Sequence, residues 1–336
     1  MRLAHYILIS LFIFASCNNK QTNPDVSNIK INLTTLRFEQ DFFDTTKENL
    51  FSYLHQINSN NASFTQNYLE TILNVDPKWP ADTSAKYVND FIKAYRPVFD
   101  SSEKIFSNFS SYEKEIKKGL QFFKYYFPAY AAPTKIITYI GPLDGYGDIL
   151  TDDAFVIGLQ QHLGKNFSLY KSEMVQLTYP EYISRRFEPD YIAINCMTNL
   201  VLDMFPEKMD EKSLVEQMVE KGKRLFVLQK ILPNTAEFKL LGYSEEQLEG
   251  CYKNESKIWN LFVQNNLLQT IDNNIKNYIG ESPKTQELGD ASPGNIGAFV
   301  GWQIVKKYMQ KNSSTTLQQL MDTAADSIYQ QSKYKP

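Results

Sequence analysis

Lys135-Ile136-Ile137-Thr138-Tyr139-Ile140 is where the apolar pattern of the chain changes period, and its reading decides the fold. Helical spacing precedes it and stops at Pro128; here the period falls to two, which predicts a strand. The Gly141-Pro142 and Asp144-Gly145 turns follow, residues 154–159 read as a second strand, and Ile149-Leu150 joins them. Residues 29–33 alternate like one more short strand.

Outward from this point the spacing is helical. Upstream, residues 37–60 carry Phe38, Phe42, Leu50, Leu54 and Ile57 at helical intervals. Residues 61–73 and 83–95 predict two further helices, the second ended by Arg96-Pro97. Residues 112–127 are amphipathic, with Ile116, Leu120, Phe123 and Phe127 on one face. Downstream, helices are expected over 180–187, 189–204, 211–231, 244–279 with room for a break, 293–309 and 316–321. The fold class is therefore α+β and predominantly helical, with helices packed around a small β-sheet at about 135–160. No repeat or low-complexity linker divides residues 29–328, which read as one domain or as two helical lobes about the sheet. Residues 329–336 read as a polar tail.

The chain has 336 residues, 43% hydrophobic and 22% charged, enough for a sizeable core. Thirty-five basic residues face 38 acidic ones, a balance that speaks against an electrostatic nucleic-acid binder. Three histidines and three cysteines exclude a cysteine-rich scaffold and argue against a two-histidine metal site.

The opening MRLAHYILISLFIFASC has a basic Arg2, an apolar stretch too short to span a bilayer comfortably, and a lipobox at Phe14-Ala15-Ser16-Cys17. Residues 1–16 read as a lipoprotein signal peptide. Cys17 is the lipidated first residue, carrying a diacylglyceryl group and palmitate, and 17–28 is a polar tether. An ordinary secretory signal or a short anchor is the other reading of this segment. Cleavage would leave His55 and His162, each read as a surface or satisfied structural histidine. Cys196 and Cys251 read either as a periplasmic disulfide or as separate buried thiols.

Within 189–204, Asn195, Asn199 and Asp203 lie four apart and share a helix face; Glu216 and Glu220 repeat the spacing downstream. Two such stripes would border a cleft. Amides are weak metal ligands, and Cys196-Met197-Thr198 fills the interval where a general base would stand, so polar helix faces or buried hydrogen-bonding positions are expected. The glycines of Gly141 to Gly147, with Asp144, Asp148, Asp152 and Asp153, lack phosphate-loop and calcium-loop spacing and read as turns with solvated acids. Gly-X-Ser-X-Gly is absent, and no nucleophile and base pair stands out. Near the C-terminus, Ser292 is the expected N-cap and Pro293 the first helical residue. Gly297 and Gly301 open a groove on that helix for a close neighbour, and Trp302 joins Ala298, Val305 and Met309 on an apolar face. Lys306 and Lys307 are expected in solvent.

Several stretches together resemble the gliding-motility lipoprotein family GldB of Bacteroidetes. They are Arg37-Phe38-Glu39-Gln40-Asp41-Phe42, Lys124-Tyr125-Tyr126-Phe127-Pro128, the run from His162 to Tyr170, Arg185-Arg186-Phe187, Gly222-Lys223-Arg224-Leu225, residues 259–268 and residues 292–309. The resemblance implies an envelope lipoprotein tied to gliding motility and working near the type IX secretion apparatus. It places the chain at the outer membrane, facing the periplasm. It also implies a distant similarity to zincin-type peptidases, in which Asn195 and Asn199 fall where the paired histidines would sit and Glu220 where a third ligand would. Both imidazoles and the intervening glutamate are missing, which points to a degenerate peptidase architecture used for binding.

The leading expectation is a non-catalytic component held to the membrane by its N-terminal lipid and presenting a surface to an envelope protein partner. It has no cofactor, no metal and no nucleic acid. One rival is an envelope hydrolase using an acidic cleft of Asp203, Glu216 and Glu220. Another is a periplasmic ligand-binding protein, which needs a continuous apolar cavity.

Overall fold

Strands β1 (Thr34–Arg37), β2 (Lys135–Tyr139), β3 (Ile149–Leu150) and β4 (Ala154–Gly158) form one sheet in the order β1-β2-β4-β3. The structure, a computed structural model, describes residues 23–44, 64–209, 211–271 and 275–336. The expected signal peptide, lipobox and Cys17, and the helical pattern through Leu50, His55 and Ile57, lie outside the described residues. β1, β2 and β4 run parallel and β3 antiparallel to β4. Four of five residues of β2 and all five of β4 are buried, because helices cover both faces of these two inner strands.

The expected strand at 29–33 instead runs beside a helix, where Gln121 Nε2 donates to the Ile29 carbonyl at 2.8 Å. Pairing begins one residue later, as Thr34 N donates to Thr134 O.

Helix α1 (Phe38–Asp44) leaves the sheet directly, and residues 64–67 lead into a π-helical turn, Tyr68–Ile72. Tyr68 is fully buried and donates its hydroxyl to the Ile140 carbonyl at 2.6 Å, tying this turn to the end of β2. Helix α2 (Ala81–Phe106) corrects the expected stop at Arg96-Pro97: it runs through Pro97. A proline inside a helix costs about 3 kcal/mol. Val88, Ile92, Val98, Phe99 and Phe106 are buried on both sides of it, and the Arg96 guanidinium lies over the Phe43 and Phe99 rings, so packing outweighs that cost. Helix α3 (Ser110–Tyr126) follows, ending at Phe127-Pro128.

Beyond the sheet come α4 (Glu173–Thr178), a single turn at Glu181–Ser184, α5 (Ile192–Met204), α6 (Leu214–Ile231) and α7 (Glu237–Leu241). The expected long segment over 244–279 divides into α8 (Glu245–Lys253), α9 (Glu255–Gln264) and a turn at Lys276–Ile279. Helices α10 (Ile296–Lys311), α11 (Leu317–Asp322) and α12 (Ala325–Ser332) complete the chain.

Three expectations about this C-terminal part are corrected. Ser292 does not cap a helix and Pro293 is not its first residue. Asn295, in the left-handed region at φ 52°, stands at the N-cap, while Ser292 Oγ bonds within the preceding loop to Thr285 and Gly289. The polar tail is helix α12 and its exit, packed by the buried Ile328, Ser332 and Tyr334. Lys306 does not return to solvent: its Nζ sits 3.7 Å from the Trp302 ring centroid and 2.6 Å from Glu237 Oε1.

α6 and α10 pack backbone to backbone. An ideal Cβ on Gly301 would fall 1.7 Å from the Met218 carbonyl oxygen, and one on Gly222 would fall 2.2 Å from Gly301 O. Gly297 faces the same neighbour, 3.1 Å from Met218 Cγ by the same construction. Only glycine fits such an approach.

Candidate functional site

The polar residues singled out on α5 turn inward to Asp148, which follows the glycine-rich turns and immediately precedes β3. Asn195 Nδ2 donates to Asp148 Oδ2 at 2.8 Å, and Asn199 Nδ2 donates to the Asp148 carbonyl at 3.1 Å. Gly158 N donates to Oδ1 at 3.2 Å, and His162 Nε2 lies 2.9 Å from Oδ2. Asp148 is thus no solvated acid: its side chain is 5% exposed and that of His162 is 1% exposed. His162 Nδ1 is 3.0 Å from the Glu188 carbonyl. Both ring nitrogens face an acceptor, a setting that favours the protonated ring, which can donate from both. Burial opposes that charge, but Asp148 and the Glu188 carbonyl prevail and raise the His162 pKa above its ordinary value.

This clamp joins the β3–β4 hairpin, the segment before α5 and α5 itself. Cys196, beside it, is buried. Burial first, and the Asp148 charge second, push its thiol well up, so it is a poor nucleophile. Cys196 and Cys251 are both free thiols rather than a disulfide.

The other polar candidates serve different neighbours. Asp203 accepts the Tyr130 hydroxyl. Glu216 completes a capping box at the start of α6, its Oε2 accepting from Ser213 N at 2.9 Å and Ser213 Oγ at 2.7 Å. Glu220 lies 3.1 Å from Lys212 and from Lys223, and 3.5 Å from Arg224. Burial opposes its charge, but Lys223 and Lys212 hold its pKa below the ordinary carboxylate value. Asn195, Asn199 and Glu220 therefore do not act as one set. Among the described residues, no three His, Cys, Asp or Glu side chains gather as metal ligands.

A cleft of 440 Å³ opens between α5 and α6. Ile194, Thr198, Val201 and Leu202 form one wall and Lys221, Arg224, Leu225 and Leu228 the other. Leu240 and Leu241 of α7 close one side, with Arg186, Glu281 and Asn295 on the rim. A second hollow of 440 Å³ shares Ile194 and Lys239 with the first. The pair Lys239 Nζ–Asp190 Oδ2, at 2.6 Å, stands where the two meet. The two polar stripes predict a cleft between these helices, but of Asn195, Asn199, Asp203, Glu216 and Glu220 only Asn195 lines it; Asp148 carried no sequence signal, because it looks like its neighbours Asp144 and Asp152.

A third feature is convex. Met174 and Leu177 lie three apart on the outer face of α4 and are 47% and 80% exposed, while Val175 behind them is buried. Leu169 just before α4 is 39% exposed, and Tyr146, in the turn that the Tyr179 hydroxyl reaches at Gly145 O, is 56% exposed.

The fold and these features define a predominantly helical α+β protein built on a four-stranded mixed sheet, with a buried polar clamp, an apolar-floored cleft and an exposed apolar ridge. No helix among the described residues is long and apolar enough to cross a membrane. A family model described as gliding motility protein GldB matches residues 19–336, and the chain belongs to that family. Membership associates it with gliding motility and with the lipoproteins of the cell envelope. No curated protein and no solved structure matches the chain. The expected zincin likeness thus has no support, either from a known structure or from the positions of Asn195, Asn199 and Glu220.

Proposed function

We propose that the chain is a non-catalytic envelope component, lipid-anchored through Cys17 at the outer membrane and facing the periplasm. In this reading it binds a protein partner of the gliding or type IX secretion machinery. The observation that carries the reading is the pair Met174 and Leu177, large apolar side chains held in solvent on the short helix α4 whose inner face is anchored by Val175, with Leu169 also exposed in the turn before it. Contiguous exposed apolar side chains mark interaction surfaces. The polar groups offered by the sequence for chemistry are meanwhile occupied: Asn195, Asn199 and His162 by Asp148, Glu216 by its cap, and Glu220 by three cations.

A photo-crosslinking residue at Leu177 in the full chain, expressed in its own envelope, tests this. One discrete protein adduct is expected, lost on adding Met174→Asp and reduced by Cys17→Ala, which removes the anchor. The absence of any reproducible adduct at Leu177, together with turnover of an envelope peptide or glycan by the purified chain, would overturn it.

A further inference from the structure

On helix α3, Lys114, Lys118, Gln121 and Tyr125 recur at four- and three-residue intervals and share the side opposite the buried Ile116, Leu120 and Phe123. Lys114, Lys118 and the neighbouring Lys124 are exposed, and Tyr125 is 49% exposed. Lys114 and Lys124 have no partner among the described residues. The acids of the helix stand to the flanks. Glu113 is held by Lys117 at 2.6 Å and by Thr35 Oγ1 at 2.7 Å, and Glu115 borders the second hollow with Lys118 and Asp190.

The N-terminal segment crosses this face. Val26 is buried, Ile29 and Ile31 pack against the core, and the Ile29 carbonyl accepts from Gln121 Nε2 at 2.8 Å. Lys30, between the two isoleucines, is exposed, and Asp25 lies within electrostatic reach of Lys118. Lys30, Lys114, Lys118 and Lys124 thus stand around one carboxylate, Asp25, on a chain whose formal net charge is -3. Six residues separate Cys17 from Asn23, a span of at most about 22 Å when fully extended. A lipid on Cys17 would therefore keep this face within that distance of the bilayer.

We infer that the outer face of α3, together with Lys30, is a membrane-contact surface that takes anionic lipid headgroups. Clustered lysines are drawn to an anionic leaflet. Tyr125 suits the headgroup level, where its ring meets apolar surface and its hydroxyl meets water. The short tether makes a weak contact intramolecular and so raises its occupancy. A protein interface has an apolar centre poor in lysine, whereas the centre of this face is Gln121, already bonded to Ile29.

This inference rests on the anchor in the proposed function and not on the ridge at Leu177. The test places the full lipidated chain in vesicles of phosphatidylethanolamine and phosphatidylglycerol, with a dye on Ser111→Cys, an exposed position one turn before Lys114. A quencher on the headgroups should dim the dye, and phosphatidylcholine vesicles or raised salt should leave it bright. Lys114→Gln, Lys118→Gln and Lys124→Gln together should lower the ratio of docked to undocked protein about a hundredfold, from about fivefold per lysine. The same change at Lys253, Lys257 and Lys307, exposed on α8, α9 and α10, should leave that ratio unaltered. An unchanged thermal midpoint reports an intact fold in both triple variants. Equal dimming in the two kinds of vesicle, or an equal loss with the α8–α10 lysines, would overturn the surface. So would a photo-crosslinker at Tyr125 that captures protein instead of lipid in the native envelope. The mass of the N-terminal peptide separates the two failures. An unlipidated Cys17 overturns the anchor and this surface with it, whereas a lipidated Cys17 with a bright dye overturns the surface alone.

Discussion

The contact between α6 and α10 and the clamp around Asp148 are both buried and both hold helices in place, but they are made in opposite ways. At the first, side chains are removed: Gly222 and Gly301 let two backbones touch, and Gly297 gives Met218 room. At the second, the side chains of Asp148, His162, Asn195 and Asn199 and backbone groups of Asp148, Gly158 and Glu188, from four separate stretches, complete one another's hydrogen bonds. The first depends on shape and is indifferent to pH. The second depends on charge and satisfaction, so it carries a proton in its interior.

That contrast is open to direct attack. Gly301→Val should have the largest effect, because its Cβ would lie 1.7 Å from a backbone oxygen that cannot rotate away. A loss above about 4 kcal/mol is expected, seen as lost soluble yield or as unfolding at low urea. Asp148→Ala should follow, costing about 3–5 kcal/mol in urea unfolding, since it strands a buried imidazolium and the Asn195 amide.

Titration of His162 should be smaller and reversible. Its folded pKa is raised, so the folded state holds the proton more tightly than the unfolded chain. That contribution is complete below about pH 6.5 and is lost as pH rises through the raised folded value. Wild-type unfolding free energy should therefore decline over that window in a way that His162→Gln does not, whereas Gly297→Ala, a shape change, should shift the curve without changing its slope. The smallest effect belongs to Asp190→Asn. Asp190 is 64% exposed, so losing its bond to Lys239 should cost under about 1 kcal/mol. A larger cost would mean that the bar between the two hollows is structural.

How much of this was legible varies with how local the cause is. The strand at 135–140 and the helix at 112–127 are visible because burial imposes a period on adjacent residues. The spacing of Gly297 and Gly301 marks a face of close approach, but its partner Met218 is over seventy positions away and unmarked. The spacing of Asn195 and Asn199 shows a shared face and is silent about what that face meets. Asp148 was misread as a solvated acid because nothing near it in the chain distinguishes it from Asp144 or Asp153. The helix through Pro97 was missed for a related reason: local preference favours a stop there, and the opposing term is burial of Val98 and Phe99, which is tertiary.

The amino-acid sequence by itself determined the class of fold, a small sheet among helices, because hydrophobic periodicity is a property of neighbouring residues and is set before any long-range contact forms. It also carried the family, through motifs spread along nearly the whole chain. Only the tertiary structure decided which polar residues pair, which acids are buried, and that the cleft between α5 and α6 is lined by Val201, Leu225 and Leu228 rather than by Asp203, Glu216 and Glu220. Those outcomes depend on which distant groups desolvate together, and in a low-dielectric interior the cost of an unpaired charge is settled by its neighbours in space.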